Sequence, residues 1–240
     1  MANVERMRNE YYSPDSIGSF GGAKSLAQAA GTSVKAADSW LSTQMVCTLH
    51  KPARTRDVTR LYTTNKIDSQ WQSDLVEMIE FQDQNDEYKY LLTVIDIFSR
   101  HAWARALKSK SALDVTAAFQ NIISGPRKCQ TLQTDNGKEF ENATFQRLLR
   151  ENNIKFFTIS SVYKAELVER WNRTLKSKMW KYFTHTGRHR WVDVLPRLVA
   201  TYNKTVHRSI GIALDDVTYD NEMHLWTSED LRELNKRIRI

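Results

Sequence analysis

Four acidic residues occupy positions where carboxylates could act together. Asp74 lies inside an otherwise apolar run, WQSDLVEM, and Asp135 lies between the run KCQTLQT and an Asn-Gly pair. A carboxylate among apolar side chains is costly to bury unless a partner compensates its charge. Glu166 and Glu169 are three residues apart in a segment with helical spacing, so they share roughly one helix face. Either glutamate could join the two aspartates.

Asp135 also has a simpler explanation when it is considered alone. Aspartate and asparagine side chains hydrogen-bond to their own backbone in tight turns, and Asn136 and Gly137 follow directly. The functional alternative is that the rigid end of a strand holds a metal ligand, which requires further carboxylates from elsewhere in the chain. Both interpretations stay open at this point.

Three converging carboxylates predict a divalent cation. Without one they would repel each other, and their pKa values would be raised. Mg²⁺ prefers carboxylate and water oxygens and stays partly hydrated, which leaves room for a phosphate. Two such ions can stabilise the attacking and leaving oxygens of an in-line displacement. The chemistry expected from these residues is therefore phosphodiester chemistry.

Five runs rich in β-branched and aromatic residues predict the sheet that must position the aspartates. They are QWQSDLVEMIEF, YKYLLTVIDIF, HAWARAL, KCQTLQTD and IKFFTIS. The first three runs follow one another, whereas the last two alternate with helical segments, SALDVTAAFQNIIS and NATFQRLLRENN. This order predicts an α/β fold in which helices pack on a mixed sheet.

The longest helix is predicted over residues 164–183, which contain no Gly or Pro and carry an apolar stripe. Arg173 and Lys176 follow Glu169 at i+4 and i+7, so a basic stripe would extend from the acidic site toward DNA phosphates. A solvated helix face also carries lysines, and this is the expectation for Lys178 and Lys181.

Another amphipathic helix is predicted in RWVDVLPRLVATYNKTVH, with Asp193 as its cap and Pro196 in its first turn. Before the sheet, the spacing of apolar residues in SVKAADSWLSTQMV predicts a small helical unit. The basic stretch HKPARTRDVTR that follows is interpreted as a linker.

Composition favours a folded chain with a polyanionic partner. The 240 residues carry a formal net charge of +7, and Lys and Arg contacts to phosphates supply most non-specific affinity for nucleic acids. A mild positive charge can also serve colloidal stability alone.

Two cysteines cannot form a disulfide framework, and no secretory signal is recognised, which predicts a reducing intracellular compartment. The longest apolar run, Tyr90 to Phe98, is too short to cross a bilayer, so no membrane role is predicted.

Five ordered motifs together resemble the integrase core of retroviruses, retrotransposons and, most closely, Maverick or Polinton DNA transposons. They are WQSDLVEM, YLLTVIDIFSRHAWARAL, LQTDNGKEF, KAELVERWNRTLKSKMW and YNKTVHRSIG. The similarity runs from about Tyr62 to Trp226, and the N-terminal YYSPDSIGSFGGAKSL also resembles the opening of Maverick-type integrases. The resemblance implies an RNase H-like fold, a five-stranded mixed sheet flanked by helices. It also implies a reaction in which water trims the element's DNA ends and the resulting 3′ hydroxyl attacks target DNA.

The resemblance implies a catalytic and metal-binding triad of Asp74, Asp135 and Glu169, because the family glutamate lies in a V-E-R-x-N pattern. Glu166 is therefore not expected to be the third acid of the triad, and Asp96 is expected to have a structural role. The implied cofactor is Mg²⁺ or Mn²⁺. Retroviral relatives carry a zinc module of four ligands, but here only Cys47 and His50 are candidates, so no zinc is expected.

DNA, at the element ends and at the target, is the implied partner, and homo-oligomers and a nuclear location are expected. The residues expected to contact nucleic acid are Asn136, Lys138, Lys164, Arg173 and Lys176. The expected organisation is a helical N-terminal region with its linker over 1–60, the catalytic core over 61–226 and a tail over 227–240 that stops before a further domain. Two alternatives remain, an inactive domesticated DNA-binding protein and an RNase H-like nuclease.

Overall fold

The computed structural model describes residues 2–50, 64, 66–158 and 166–225. Most of the predicted basic linker and the predicted C-terminal tail lie outside the described residues. The helices are Ala2–Tyr12 (α1), Ala23–Ala30 (α2), Val34–Ser42 (α3), Met45–Leu49 (α4), Ala112–Ile123 (α5), Ala143–Glu151 (α6), Glu166–Thr186 (α7) and Leu195–Lys204 (α8). The strands are Trp71–Glu77 (β1), Tyr90–Asp96 (β2), Ala102–Leu107 (β3), Thr131–Thr134 (β4) and Lys155–Thr158 (β5).

The five strands form one mixed sheet in the order β3-β2-β1-β4-β5. β1 and β3 each pair antiparallel with β2, whereas β4 pairs parallel with both β1 and β5. This confirms the predicted mixed sheet flanked by helices. The first predicted run was too long, because β1 ends at Glu77 and a 3₁₀ helix, Ile79–Gln84, replaces its last residues.

Successive side chains of the central strands pack on opposite faces of the sheet. On β2, Leu91 and Ile95 join the apolar cluster that includes α7 and α8, whereas Leu92 and Val94 join the cluster of α5 and α6. Because side chains alternate along a strand, one strand supplies both cores. The sheet therefore forms the middle layer between two sets of helices.

The helix predicted between Ser111 and Ser124 is confirmed as α5. The Ser111 side chain accepts a hydrogen bond from the Asp114 N–H at 3.2 Å, which satisfies one of the unpaired donors of the first turn. α8 keeps Pro196 in its first turn, as predicted. The predicted Asp193 cap is wrong, because the helix starts after Val194 and the Asp193 carboxylate instead pairs with Arg190.

The N-terminal helices pack against the sheet domain on the C-terminal half of α7 and on α8. Lys178 is only 9% exposed, and its Nζ donates to the Ser19 carbonyl at 2.6 Å. Lys181 donates to the Phe20 carbonyl at 3.0 Å. The prediction that Lys178 and Lys181 lie on a solvated face was therefore wrong, because residues distant in sequence cover this side of the helix.

Asp96 belongs to a buried polar network at the start of β1, in line with the structural role expected for it. Its carboxylate accepts hydrogen bonds from the Ser99 N–H and hydroxyl, at 2.9 and 2.5 Å, and from the Asp68 N–H at 3.2 Å. The Arg127 guanidinium lies 3.7 Å away. Burial raises the pKa of Asp96 to about 6.

Within the described residues, no helix combines the length and apolar character needed to cross a membrane.

Candidate active site

The parallel pairing of β1 and β4 brings two of the predicted aspartates to the same edge of the sheet. Gln72 is in register with Gln133, Asp74 lies two residues after Gln72 on β1, and Asp135 lies two residues after Gln133, directly after the end of β4. Because the side-chain period of a strand is two, Asp74 shares the face of Gln72, and Asp135 follows the strand that carries Gln133. Asp74 is partly buried within β1, whereas Asp135 is exposed just beyond the end of β4.

The helix α7 brings Glu169 to this edge, because Val168 and Trp171 are buried against the sheet. One directed contact joins the helix to the first aspartate. The Asn172 Nδ2 donates to Asp74 Oδ2 at 2.6 Å, and Asn172 lies three residues after Glu169. Glu169 and Asn172 therefore stand on neighbouring turns of the helix, next to Asp74.

The electrostatics of Asp74 link it to both other predicted acids. Burial raises the pKa of Asp74, and the negative charges of Asp135 and Glu169 raise it further. The Leu75 N–H, which donates to Asp74 Oδ1 at 2.8 Å, and Asn172 oppose this rise. Glu169, rather than Glu166, is the helix glutamate whose charge acts on Asp74. The fold thus brings Asp74 within electrostatic reach of both Asp135 and Glu169.

The donor chemistry of this site fits a hard divalent cation. All three side chains offer carboxylate oxygens, which Mg²⁺ and Mn²⁺ prefer. The hydrogen bonds to Asp74 come from two neutral amides, so they do not cancel the repulsion between the acids. Within the ranges that the structure describes, no three His, Cys, Asp or Glu side chains already stand close enough to form a metal site.

Asp135 also serves the turn that follows it, as the simpler interpretation predicted. Its Oδ1 accepts a hydrogen bond from the Gly137 N–H at 3.2 Å, which fixes the start of the loop. The exposed side chains of Asn136 and Lys138 lie in the same loop. The turn and the metal-ligand interpretations are therefore compatible, because one carboxylate has two oxygens.

The other predicted nucleic-acid contacts are distributed along α7. Arg173 and Lys176 are both exposed and follow Glu169 on the same side of the helix. Lys164 lies outside the described residues.

The two zinc candidates, His50 and Cys47, lie far from this site. The His50 ring nitrogen Nε2 lies 2.7 Å from the Thr184 hydroxyl, and Cys47 is half-buried. The expectation of no zinc stays a prediction.

Three polar residues of the site had no assigned role at the level of the sequence: Gln72, Gln133 and Asn172. Gln72 and Gln133 are completely buried, and Asn172 is nearly so. A signal was present, since each glutamine comes two residues before a predicted catalytic aspartate, which is the spacing of side chains on one strand face. Their partners could not be read from sequence, because these hydrogen bonds cross between elements.

Comparison with known proteins connects this geometry to one family. Residues 65–164 match the family model described as the integrase core domain. This span includes Asp74 and Asp135 and ends before Glu169. A transposon-derived protein of Caenorhabditis elegans is 38% identical over 135 residues, which cover 56% of this chain and 47% of that protein. The Gag-Pol polyprotein of avian reticuloendotheliosis virus is 31% identical over 157 residues, which cover 62% of this chain and 13% of the polyprotein.

Solved structures share the fold. The catalytic core domain of HTLV-2 integrase, determined in complex with magnesium, aligns with a TM-score of 0.53 and 24% identity over 62% of this chain and 95% of that chain. A chain in the structure of the simian T-cell lymphotropic virus intasome in complex with PP2A regulatory subunit B56 gamma aligns with a TM-score of 0.66 and 18% identity over 91% of this chain and 72% of that chain. At these identities the likeness shows the RNase H-like fold. Residues 65–164 are thus similar to the integrase core domain family, and the fold is shared with retroviral integrase structures.

Proposed function

We propose that this protein is a DDE-type integrase of a mobile DNA element, of the Maverick or Polinton type that its motifs resemble. The observation that carries the proposal is the partly buried Asp74 carboxyl, whose pKa is raised by burial and by the charges of Asp135 and Glu169. An acid whose pKa is raised by burial and by acids from distant segments is typical of functional sites. The chain spans about half the length of the C. elegans relative, so the activity of the whole protein is part of this proposal.

In this proposal, Asp74, Asp135 and Glu169 hold Mg²⁺ or Mn²⁺. When bound, the metal supplies charge stabilisation for in-line displacement at phosphorus, first by water at the element ends and then by the 3′ hydroxyl on target DNA. Asn172 favours the ionised form of the Asp74 carboxylate and orients it through its 2.6 Å hydrogen bond. The Asp135 side chain is held by the Gly137 N–H.

The DNA backbone would follow the exposed basic side of α7. Arg173 and Lys176 contact phosphates, and Asn136 and Lys138 contact DNA from the loop beside Asp135, with Lys164 as a further contact. Solved relatives include trimeric and dimeric integrase cores and an intasome, which supports a homo-oligomeric active form here. A nuclear location follows from the proposed chromosomal target.

A strand-transfer assay with a labelled oligonucleotide tests the function. The oligonucleotide should carry the candidate terminal repeat that flanks the reading frame, and a plasmid should serve as target. Joined products support the integrase. Cleavage without joining would identify an RNase H-like nuclease instead, and DNA binding without either reaction would identify an inactive DNA-binding protein.

Glu169→Gln should abolish the metal-dependent reaction while it leaves folding and DNA binding largely intact, because the amide keeps the shape of the side chain and loses its charge. Glu166→Gln is the matched control, since it removes the same charge one helical turn earlier. Full activity of Glu169→Gln, or an equal loss in both variants, would reject the assignment of Glu169.

A further inference from the structure

A chain of hydrogen bonds connects the three elements that carry the three acids. Val168, the third residue of α7, donates its backbone N–H to Gln72 Oε1 at 3.1 Å. The Gln72 Nε2 in turn donates to Gln133 Oε1 at 3.3 Å. The Gln70 Nε2 also donates to Gln133 Oε1, at 2.6 Å. One connected set of side chains thus spans α7, β1 and β4.

The direction of this chain follows from its first donor. A backbone N–H can only donate, so Gln72 must present its oxygen to Val168 and its NH₂ group to Gln133. Gln133 must then present its oxygen to Gln72. This leaves the Gln133 Nε2 buried, and within the described residues it has no hydrogen-bond partner. The orientation of both amides is therefore fixed by the start of α7.

Each member of the chain lies next to one predicted catalytic acid. Gln72 precedes Asp74 by two residues on the same strand face, and Gln133 precedes Asp135, which directly follows β4, by two residues. Val168 directly precedes Glu169. The backbone ladder fixes β1 against β4, but α7 packs on the sheet largely through apolar contacts, which have no direction, and the bond from Asn172 to Asp74 is a directed contact beyond Glu169. The hydrogen bond from the Val168 N–H to Gln72 adds a directed contact close to Glu169. This N–H can bond outside the helix, because the first four N–H groups of a helix have no partner within it.

We propose that Gln72 and Gln133 are positioning residues, which set Glu169 relative to Asp74 and Asp135 so that the three carboxylates can share divalent metal. This inference rests on the proposed function for its biological meaning, but its physical content is the placement of α7. Partners that orient metal ligands typically contribute about 10- to 100-fold in metal affinity or activity. Both glutamines are completely buried, so neither acts by contact with DNA.

The test uses the full chain with Gln72→Leu, which keeps the side-chain volume and removes both hydrogen bonds. Three results are expected. The Val168 amide should exchange its hydrogen at least 10-fold faster in metal-free protein, and Mn²⁺ affinity, measured by electron paramagnetic resonance, should fall by roughly 10-fold or more. In the cleavage assay kcat should fall while KM for DNA stays unchanged.

Ser73→Ala is the matched control. Ser73 is the buried neighbour of Gln72 on the opposite strand face, and its Oγ donates to the Thr93 carbonyl at 3.0 Å. It should lose stability without a change in Val168 exchange or Mn²⁺ affinity. Gln133→Leu is a second test variant, at a residue that is proposed to contact neither α7 nor the metal. It should also lower Mn²⁺ affinity, so the test stays informative if Gln72→Leu fails to fold.

Equal Mn²⁺ affinity in Gln133→Leu and Ser73→Ala, or unchanged Val168 exchange in Gln72→Leu, would overturn the positioning role. Wild-type protein that binds Mn²⁺ but neither cleaves nor joins DNA would instead refute the proposed integrase function alone. In that case the exchange and metal-binding comparisons still decide the role of the two glutamines.

Discussion

Asp74 combines partial burial with two nearby negative charges, and the donors that its carboxylate has among the described residues, a backbone N–H and an amide side chain, are both neutral. Asn172 is the side chain that provides such a donor, at 2.6 Å. A hydrogen bond to the charged form of a carboxyl group lowers its pKa, so Asn172 works against the rise that burial and the neighbouring acids cause. The balance at this one carboxylate should set the pH at which metal binds.

Asn172→Ala should move the pH midpoint of Mn²⁺ binding upward by about 1 unit, since loss of a hydrogen bond to a charged group costs about 1.5 kcal/mol. The sign follows from the state that binds metal. Asp74 must be ionised, and its pKa rises further without the amide. Mn²⁺ titrations across the acidic to neutral range measure the midpoint. Thr174→Ala, on the same helix, is the control, and an identical midpoint in Asn172→Ala and wild type would contradict the prediction.

At the level of elements, α7 performs different tasks on its different sides. Its buried side carries Trp171 and Leu175 into the core, and its start is bound to β1 through Val168. Its exposed side carries Arg173 and Lys176 away from Glu169. A single helix of 21 residues therefore links the site, the core and the proposed DNA path.

Replacing Arg173 and Lys176 together with alanine should weaken DNA binding and flatten its salt dependence. Each lost phosphate contact should reduce the slope of log K against log salt concentration by about 0.9. Binding isotherms at several salt concentrations measure that slope. The fold should be unaffected, because both side chains are exposed.

The matched control for this pair is Arg147→Ala with Arg150→Ala. These two arginines have the same spacing and are exposed on α6, in the helix layer on the other side of the sheet. The control removes the same charge from the protein. If the slope of log K against log salt concentration falls equally in both double variants, the effect comes from net charge alone. Arg173 and Lys176 would then be solvent-exposed residues that do not contact DNA.

At the level of the whole molecule, the N-terminal helices and the sheet domain share one apolar cluster. Lys178 lies at their contact, and burial lowers its pKa from 10.5 to about 8. Its charged form is therefore disfavoured in the folded protein. The Asp15 and Arg197 ion pair and the 2.8 Å bond from the Thr201 hydroxyl to the Pro14 carbonyl join the same two parts.

Lys178 should make the protein more stable as pH rises from about 8 toward 10.5. In that range the unfolded chain binds the lysine proton and the folded chain does not, so the free energy of unfolding rises by at most about 1.4 kcal/mol per pH unit. Lys178→Met should lack this increase. Urea unfolding of both proteins at matched pH values measures the difference, and parallel curves would show that Lys178 is not buried against the N-terminal helices.

The sequence predicted well those features that depend on local periodicity. The runs rich in β-branched and aromatic residues, the apolar spacing of α5 and the long segment of α7 without Gly or Pro are properties of neighbouring residues, and these elements appear in the structure. The Asp193 cap failed because Arg190 competes for the same carboxylate. The 3₁₀ helix after β1 was missed because an apolar run by itself does not show where a strand stops pairing.

By itself the sequence determined the residue types of the proposed site: two aspartates at strand positions, a glutamate at the start of a long helix and two basic residues beyond it. Only the tertiary structure decided that Gln72 and Gln133 connect the elements of that site and that Lys178 is buried. The reason is physical. Spacing along one element sets which side chains share a face, whereas burial and hydrogen-bond partners depend on which distant segment covers that face.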